Sequence, residues 1–331
     1  MVPFDAHSVI GFVYDLTNAT GSLMGGHYKV VSKSSITGVW NDVNSGDNFG
    51  AKLSKSGFDT TSVRGIADKP VYSFIKNSQV SICSLEYPRG MTTEKTEHAN
   101  IDKLKDKYVG ITFIGFAGER MSNMAATVNY THRAAGGGDS GAVMGSKYFK
   151  AIICYGEIMN NVFSKSDVLA INKEAVDRKK NRPIDANMLK LFGDYGTGAL
   201  YERSVICGEA STRNWGGLPS ELTEREIEAL SSQKMDKFYK KKKLACLECS
   251  LDCGTIHEIP DGEYPLLEKI SRPEYEISGM CISMRLNRGA KVVDWCSVFA
   301  NKHSFDTILL SATIAWAMER HIRPFRCTNN A

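Results

Sequence analysis

Apolar and polar positions follow two regimes along this chain. Up to residue 165, short apolar or alternating runs recur at residues 9–14, 28–31, 71–75, 80–85, 108–114, 126–130 and 149–155, separated by clusters of Gly, Asn, Asp and Ser. Many short strands with turn signals between them predict a sandwich or barrel. Beyond residue 165 the pattern becomes helical. Residues 167–192 are polar and helix-compatible but broken by Pro183, and residues 193–198 hold three glycines. Thr223 and Glu226 form a T-x-x-E capping box that predicts a helix running through Leu230. Phe305, Ile308, Leu309, Ala312, Ala315 and Trp316 recur at helical spacing over residues 305–322. Asp306 stands at the start of that run, Arg320 and His321 at its end and Pro324 just beyond. These suit the helix dipole and a stop signal, so a core helix is expected. The expected organisation is a β-rich domain at 1–165, a helical basic linker region at 166–243 and a cysteine-rich α+β region at 244–331.

Composition narrows the class. A chain of 331 residues is long enough for two or three domains with real cores. With 42% hydrophobic and 24% charged residues it reads as soluble and globular. A net charge of +4 carries no global nucleic-acid signature, but the basic residues cluster. Arg178, Lys179, Lys180 and Arg182 form one group, and Lys240, Lys241, Lys242 and Lys243 another. Such groups mark either a polyanion contact or a solvated linker. No run of 18 apolar residues is present, and the first residues lack a basic segment followed by an apolar one. Neither a membrane span nor a secretory signal is therefore expected. Nine cysteines, an odd count with six of them after residue 240, favour free thiols or a metal site over a disulfide framework.

Those thiols supply a first candidate chemistry. Cys246, Cys249, Cys253 and His257 read C-x2-C-x3-C-x3-H, four soft or borderline ligands that could close a tetrahedral structural zinc site. The alternative is free cysteines packed in a small core. With zinc bound, Lys240 to Lys243 just upstream would offer contacts to RNA phosphates.

The second candidate lies at residues 136–145, Gly-Gly-Gly-Asp-Ser-Gly-Ala-Val-Met-Gly. Glycines let a backbone turn tightly and bring N–H groups near a reacting carbonyl, leaving Ser140 at the tip. Three further stretches accompany Gly138-Asp139-Ser140-Gly141: Ala151-Ile-Ile-Cys-Tyr-Gly156, residues 21–32 and residues 80–85. Together they make the first half of the chain resemble the chymotrypsin-like (trypsin-fold) serine proteases, in the compact form found in sobemovirus-like viral polyproteins. The resemblance implies a mainly β fold, a double β-barrel followed by a smaller helical, cysteine-rich region. It implies Ser140 as the nucleophile, with the N–H groups of Gly138 and Ser140 as oxyanion hole. Cys154, Tyr155 and Gly156 would bind an extended peptide by strand addition, and His132 would line the specificity pocket. It also puts Ser35 where the family's histidine belongs and Gln79 where its aspartate belongs. A serine hydroxyl is no base near neutral pH, and glutamine cannot stabilise an imidazolium. His27, with Asp47, Asp59 or Asp68, is the substitute base, or else a turn residue between two strands; His98 lies outside the histidine segment. Trp215-Gly-Gly followed by Glu221, Glu224, Glu226 and Glu228 is similar to the genome-linked proteins of such polyproteins, or is an acidic amphipathic helix.

The expected function is therefore that of a catalytically degenerate viral protease-like protein. It would serve as a scaffold, replication accessory or particle component in the host cytoplasm or virion. Its partners would be other viral proteins or an extended peptide, and its cofactor at most zinc. The alternatives are an active serine endopeptidase using Ser140 and His27, and an RNA-binding protein.

Overall fold

The structure, a computed structural model, describes residues 2–85, 90–104, 109–130, 132–181, 183–259, 266–286 and 289–320. Tyr108, Arg182, His321, Ile322, Pro324 and Cys327 lie outside the described residues. The chain divides into two compact units. One comprises Met1–Arg178, Cys246–Ser250 and Asn301–Asp306; the other comprises Lys179–Ala245, Leu251–Ala300 and Thr307–Ala331.

The first unit is built on two sheets. In one, β1 (Val9–Tyr14), β2 (Tyr28–Lys33), β3 (Trp40–Ser45) and β4 (Thr60–Arg64) pair antiparallel in the order β3-β2-β1-β4. In β2, Tyr28, Val30 and Ser32 are buried and the residues between them are not, as a strand with one covered face requires. The other sheet contains β5 (Val71–Lys76), β6 (Gln79–Ser84), β7 (Gly110–Phe113), β8 (Thr127–Asn129), β9 (Arg133–Ala135) and β10 (Phe149–Tyr155). Its order is β6-β5-β10-β7-β8-β9. Strand β10 is central, with β5 on one edge and β7 on the other, and both its faces are covered. Ile152 and Cys154 pack with Ile10, Phe12, Phe49 and Leu53, while Ala151 and Ile153 pack with Ile111, Phe113 and Val128.

This arrangement corrects the expected double barrel. Neither sheet closes on itself among the described residues, and β5 pairs with β10 in parallel. Parallel neighbours need a long crossover and cannot come from a meander of hairpins. The protein is mixed α/β rather than mainly β, with helices in both units. The triad positions fare no better. Asn77 and Ser78, at φ +45° and +66°, form the tight turn between β5 and β6, so Gln79 is an exposed hairpin residue opposite Lys76.

Several helical expectations correspond to elements of the structure. Helices Lys165–Asn181 and Pro183–Tyr195 lie on either side of residue 182. Thr223 caps helix Glu224–Ala229 reciprocally with Glu226, and the last described helix is Thr307–Glu319. Lys240 to Lys243 do not form a linker but strand β11 (Lys240–Leu244), paired with β12 (Gly254–Ile259), which pairs in turn with β13 (Leu266–Ser271). No described helix is long and apolar enough to cross a membrane.

The second unit packs an apolar core of Tyr201, Val205, Leu230, Met235, Cys281, Ile282 and Val293. Beside it runs a buried chain of charges. His257 is fully buried; its Nε2 lies 3.0 Å from Asp236 Oδ1 and its Nδ1 lies 3.1 Å from Asp294 Oδ1. Arg272 Nη1 donates to Asp236 Oδ2 at 2.8 Å. Burial opposes a charge on His257, but the two carboxylates outweigh it and hold the imidazole above its ordinary value. Burial raises Asp294, whereas for Asp236 the partners His257 and Arg272 overcome burial and lower it. A histidine whose pKa rises on folding stabilises fully below pH 6.5, its ordinary value, and loses that contribution as pH rises through the folded value. Breaking such a buried pair costs about 3–5 kcal/mol. Urea unfolding of His257→Gln should show that loss below pH 6.5 and a smaller one in alkaline buffer, where the wild type has also given up its imidazolium. An equal loss in both buffers would contradict the buried charge.

Candidate functional site

The segment Cys246–Ser250 follows β11 in sequence yet packs within the first unit. It is a tight turn: the Cys249 N–H donates to the Cys246 carbonyl at 3.1 Å, with Glu248 at φ +56°. The turn rests on the loop before β2, where the Met24 N–H donates to the Glu248 carbonyl at 2.9 Å. Glycine makes the approach feasible. A Cβ on Gly26 would stand 2.9 Å from the Leu247 carbonyl oxygen, and one on Gly46 would stand 2.9 Å from Cys246 Sγ and 3.4 Å from His27 Nε2. Both cysteines are free thiols and half-buried, and Cys249 Sγ lies 3.4 Å from Met24 Sδ.

Polar groups gather on the same rim. His27 precedes β2, Gly46 and Asp47 follow β3, and His132 and Arg133 begin the return from β8 into β9. Asp47, at φ +84° and buried, pairs with His132 Nε2 at 2.9 Å. Partial burial and the Arg133 cation hold His27 below the usual histidine value. Beneath them Asn129 locks the two sheets together. Its amide donates to the Gly46 carbonyl at 3.0 Å, and its Oδ1 accepts from Ser45 Oγ at 2.6 Å and from the Tyr28 hydroxyl at 3.1 Å. All three residues are buried, so the rim is braced by a satisfied network. The result is a surface of soft thiols, a paired histidine and the Arg133 guanidinium.

The glycine loop does something other than expected. Ser140 is fully buried as the first residue of helix Ser140–Ser146, and its Oγ donates to the Ala135 carbonyl at 3.3 Å. Asp139, at φ +62°, accepts from the Ser35 N–H at 3.0 Å and from the Ser35 hydroxyl. Ser35 thus does meet the loop, but through Asp139 rather than Ser140. The Gly137 N–H donates to Asp306 Oδ2 at 2.5 Å, and a Cβ on Gly138 would lie 2.0 Å from Asn41 Oδ1. These glycines serve close packing, not an oxyanion hole. Cys154 is paired on both edges of its strand, which leaves no edge there for an added peptide, while Tyr155 pairs with Lys76 of β5 and Gly156 lies past the strand's end.

His257, expected beside the cysteines, spends both ring nitrogens on Asp236 and Asp294 and keeps no lone pair for a metal. Cys253 belongs to the second unit, where its carbonyl accepts from Arg272 Nη2 at 2.6 Å. Among the described residues no three His, Cys, Asp or Glu side chains are gathered as a metal-binding group. Asn129, Arg133, Asp236 and Arg272 were not singled out from sequence, since none sits in a spaced pattern; only the folded register brings them to their partners.

Comparison with known proteins places these features. A model of the aldehyde ferredoxin oxidoreductase N-terminal domain matches residues 1–156, and one of domains 2 and 3 of that enzyme matches residues 171–322. The chain is 32% identical over 323 residues to the tungsten-containing aldehyde ferredoxin oxidoreductase of Pyrococcus abyssi, covering 97% of this chain and 51% of that protein. It is 29% identical over 322 residues to the aliphatic sulfonate oxidoreductase, WOR-like subunit, of Pyrococcus furiosus, covering 92% and 49%. Among solved structures, the active site complex BamBC of benzoyl coenzyme A reductase, with 1,5-dienoyl-CoA, matches with a TM-score of 0.81 at 19% identity. That match covers 98% of this chain and 49% of the other, and shows a shared fold. The chain spans about half the length of the curated relatives it matches. These matches overturn the protease resemblance and with it the viral setting, the degenerate-protease role, the serine endopeptidase and the RNA-binding protein. They also correct the non-enzymatic reading, because the relatives are oxidoreductases. The glycine loop, the braced rim and the cysteine turn all lie within the matched stretches, and the chain belongs to the aldehyde ferredoxin oxidoreductase family.

Proposed function

We propose that the protein takes part in oxidising an aldehyde to a carboxylate and passing the electrons to a ferredoxin, the activity named for its relatives. Water adds to the aldehyde, and two electrons and three protons leave. The observation that carries this reading is the seating of a two-thiol turn on the braced rim that holds His27, His132 and Arg133.

Tungsten, when bound, supplies the two-electron chemistry at the aldehyde carbon. The described residues offer no group of three ligands for it, so the metal would bring its own ligands, and the chain would hold that carrier by charge and hydrogen bonds. The Arg133 guanidinium suits an anionic carrier at the rim. Cys246 and Cys249, carried on one turn, supply thiolates for a second centre. Zinc, the sequence-based expectation, has no redox chemistry, whereas thiolates hold iron–sulfur clusters that carry single electrons. A one-electron acceptor such as ferredoxin calls for the latter. The Asp47 carboxylate holds His132 at Nε2 and leaves Nδ1 to accept a proton released in the oxidation.

Protein produced with tungstate and assayed without oxygen should reduce viologen only when an aldehyde is added. Cys246→Ser with Cys249→Ser should lose bound iron and the ability to reduce ferredoxin. Stoichiometric zinc without iron, or no aldehyde-dependent reduction, would overturn the proposal. His132→Gln should lower kcat about 10²–10⁴-fold, with iron content unchanged. An unaltered kcat would remove His132 from the proton path.

A further inference from the structure

We propose that a groove in the second unit, lined by lysines and two aspartates, binds a phosphorylated polyol, a phosphate monoester with neighbouring hydroxyls such as a sugar phosphate. The site goes beyond the redox reading and does not rest on it. The two basic clusters that stand apart in sequence meet here. Lys179 and Lys180 end helix Lys165–Asn181, Lys190 lies on helix Pro183–Tyr195, and Lys243 lies on β11. They line a groove of about 370 Å³ formed by residues of the second unit alone. Small-molecule sites begin at roughly 300 Å³, so the groove has room for one sugar-sized ligand.

The charges define the anionic end of the ligand. Lys179 and Lys180 also answer the dipole of the helix they end, but Lys190 precedes the last turn of its helix and Lys243 stands on a strand. Lys243 is held in the wall, donating to the Gly193 carbonyl and, at 2.8 Å, to the Asp252 carbonyl. An ammonium has three N–H groups, so one is left for a ligand. Partial burial holds Lys243 below the usual lysine value, and a bound anion offsets that penalty. Lys180 and Lys190 are exposed and have no carboxylate partner among the described residues. Asp194 and Asp252 share the lining, so four lysines face two aspartates and two positive charges are left over. A phosphate monoester, with about 1.5 to 2 negative charges at pH 7, matches that excess.

The aspartates define the other end. Among the described residues neither carboxylate accepts a hydrogen bond. They repel a bare anion, whereas neighbouring hydroxyls donate to them. Asp252 stands at φ +56° with its carbonyl held by Lys243, so its carboxylate is carried on a fixed turn. Leu189 and Leu251 offer apolar contact to the face of a sugar ring. None of the described lining residues is aromatic, so a nucleobase finds no stacking surface.

The test is calorimetric titration of the whole protein with glucose 1-phosphate, a sugar phosphate that has no free aldehyde. Parallel titrations use glucose, inorganic phosphate and adenosine monophosphate. Glucose 1-phosphate should bind more tightly than any of the three. Lys180→Glu with Lys190→Glu should weaken it at least about tenfold, through the loss of two charge-assisted contacts. Asp194→Asn with Asp252→Asn should weaken glucose 1-phosphate at least about threefold yet tighten inorganic phosphate. Asparagine tolerates the positive φ at position 252, and no folding defect produces shifts of opposite sign. The proposal is overturned if glucose 1-phosphate does not bind, or binds wild type and the lysine variant equally. Inorganic phosphate or adenosine monophosphate binding as tightly as glucose 1-phosphate also overturns it.

Discussion

A turn that carries two thiols can lie against a loop only where the loop has no side chain in the way. Gly26 and Gly46 provide that clearance, since a Cβ at either would sit 2.9 Å from an atom of the turn. The Cys246–Ser250 turn, the loop before β2 and the turn after β3 are thereby held in one place. The rest of the site inherits its position from this contact. His27 follows directly on Gly26, Asp47 follows directly on Gly46, and Asp47 in turn orients His132. The Asn129 network fixes the Gly46 carbonyl from below, so the contact is braced on its buried side as well.

Much of this was legible in sequence, but unevenly. Strands β1 and β10 coincide with apolar runs that announce themselves, and the Thr223–Glu226 box is a local signal that needs no tertiary context. Pairing is another matter. Nothing in the run at residues 149–155 says that its neighbour is the parallel strand β5, and a barrel and two open sheets make similar demands on alternation. Strand β11 was missed because its lysines read as a solvated charge run, although two of them are paired with carboxylates. The cysteine and histidine spacing suggests a ligand set, but no three such side chains are gathered among the described residues. His257 lies on the same short stretch, and only the fold reveals that Asp236 and Asp294 claim both its nitrogens.

The serine loop shows why a motif needs its context. Gly-Asp-Ser-Gly serves a nucleophile when the serine stands clear and a base stands near. Here the glycines admit Asn41 and Asp306, Asp139 turns toward Ser35, and Ser140 is buried at the start of a helix. The same residue types answer a packing demand instead of a chemical one. Their signal was real, since glycines in that number do mark a close approach, but its partner was another segment of the chain rather than a substrate.

The redox account places its second metal on the glycine-seated turn. Anomalous diffraction from anaerobically grown crystals, recorded on either side of the iron absorption edge, would test this directly. The account predicts an iron peak in bonding contact with both Cys246 Sγ and Cys249 Sγ. A peak that appears only at the zinc edge, or two cysteines with no metal between them in protein that retains full aldehyde-oxidising activity, would contradict it.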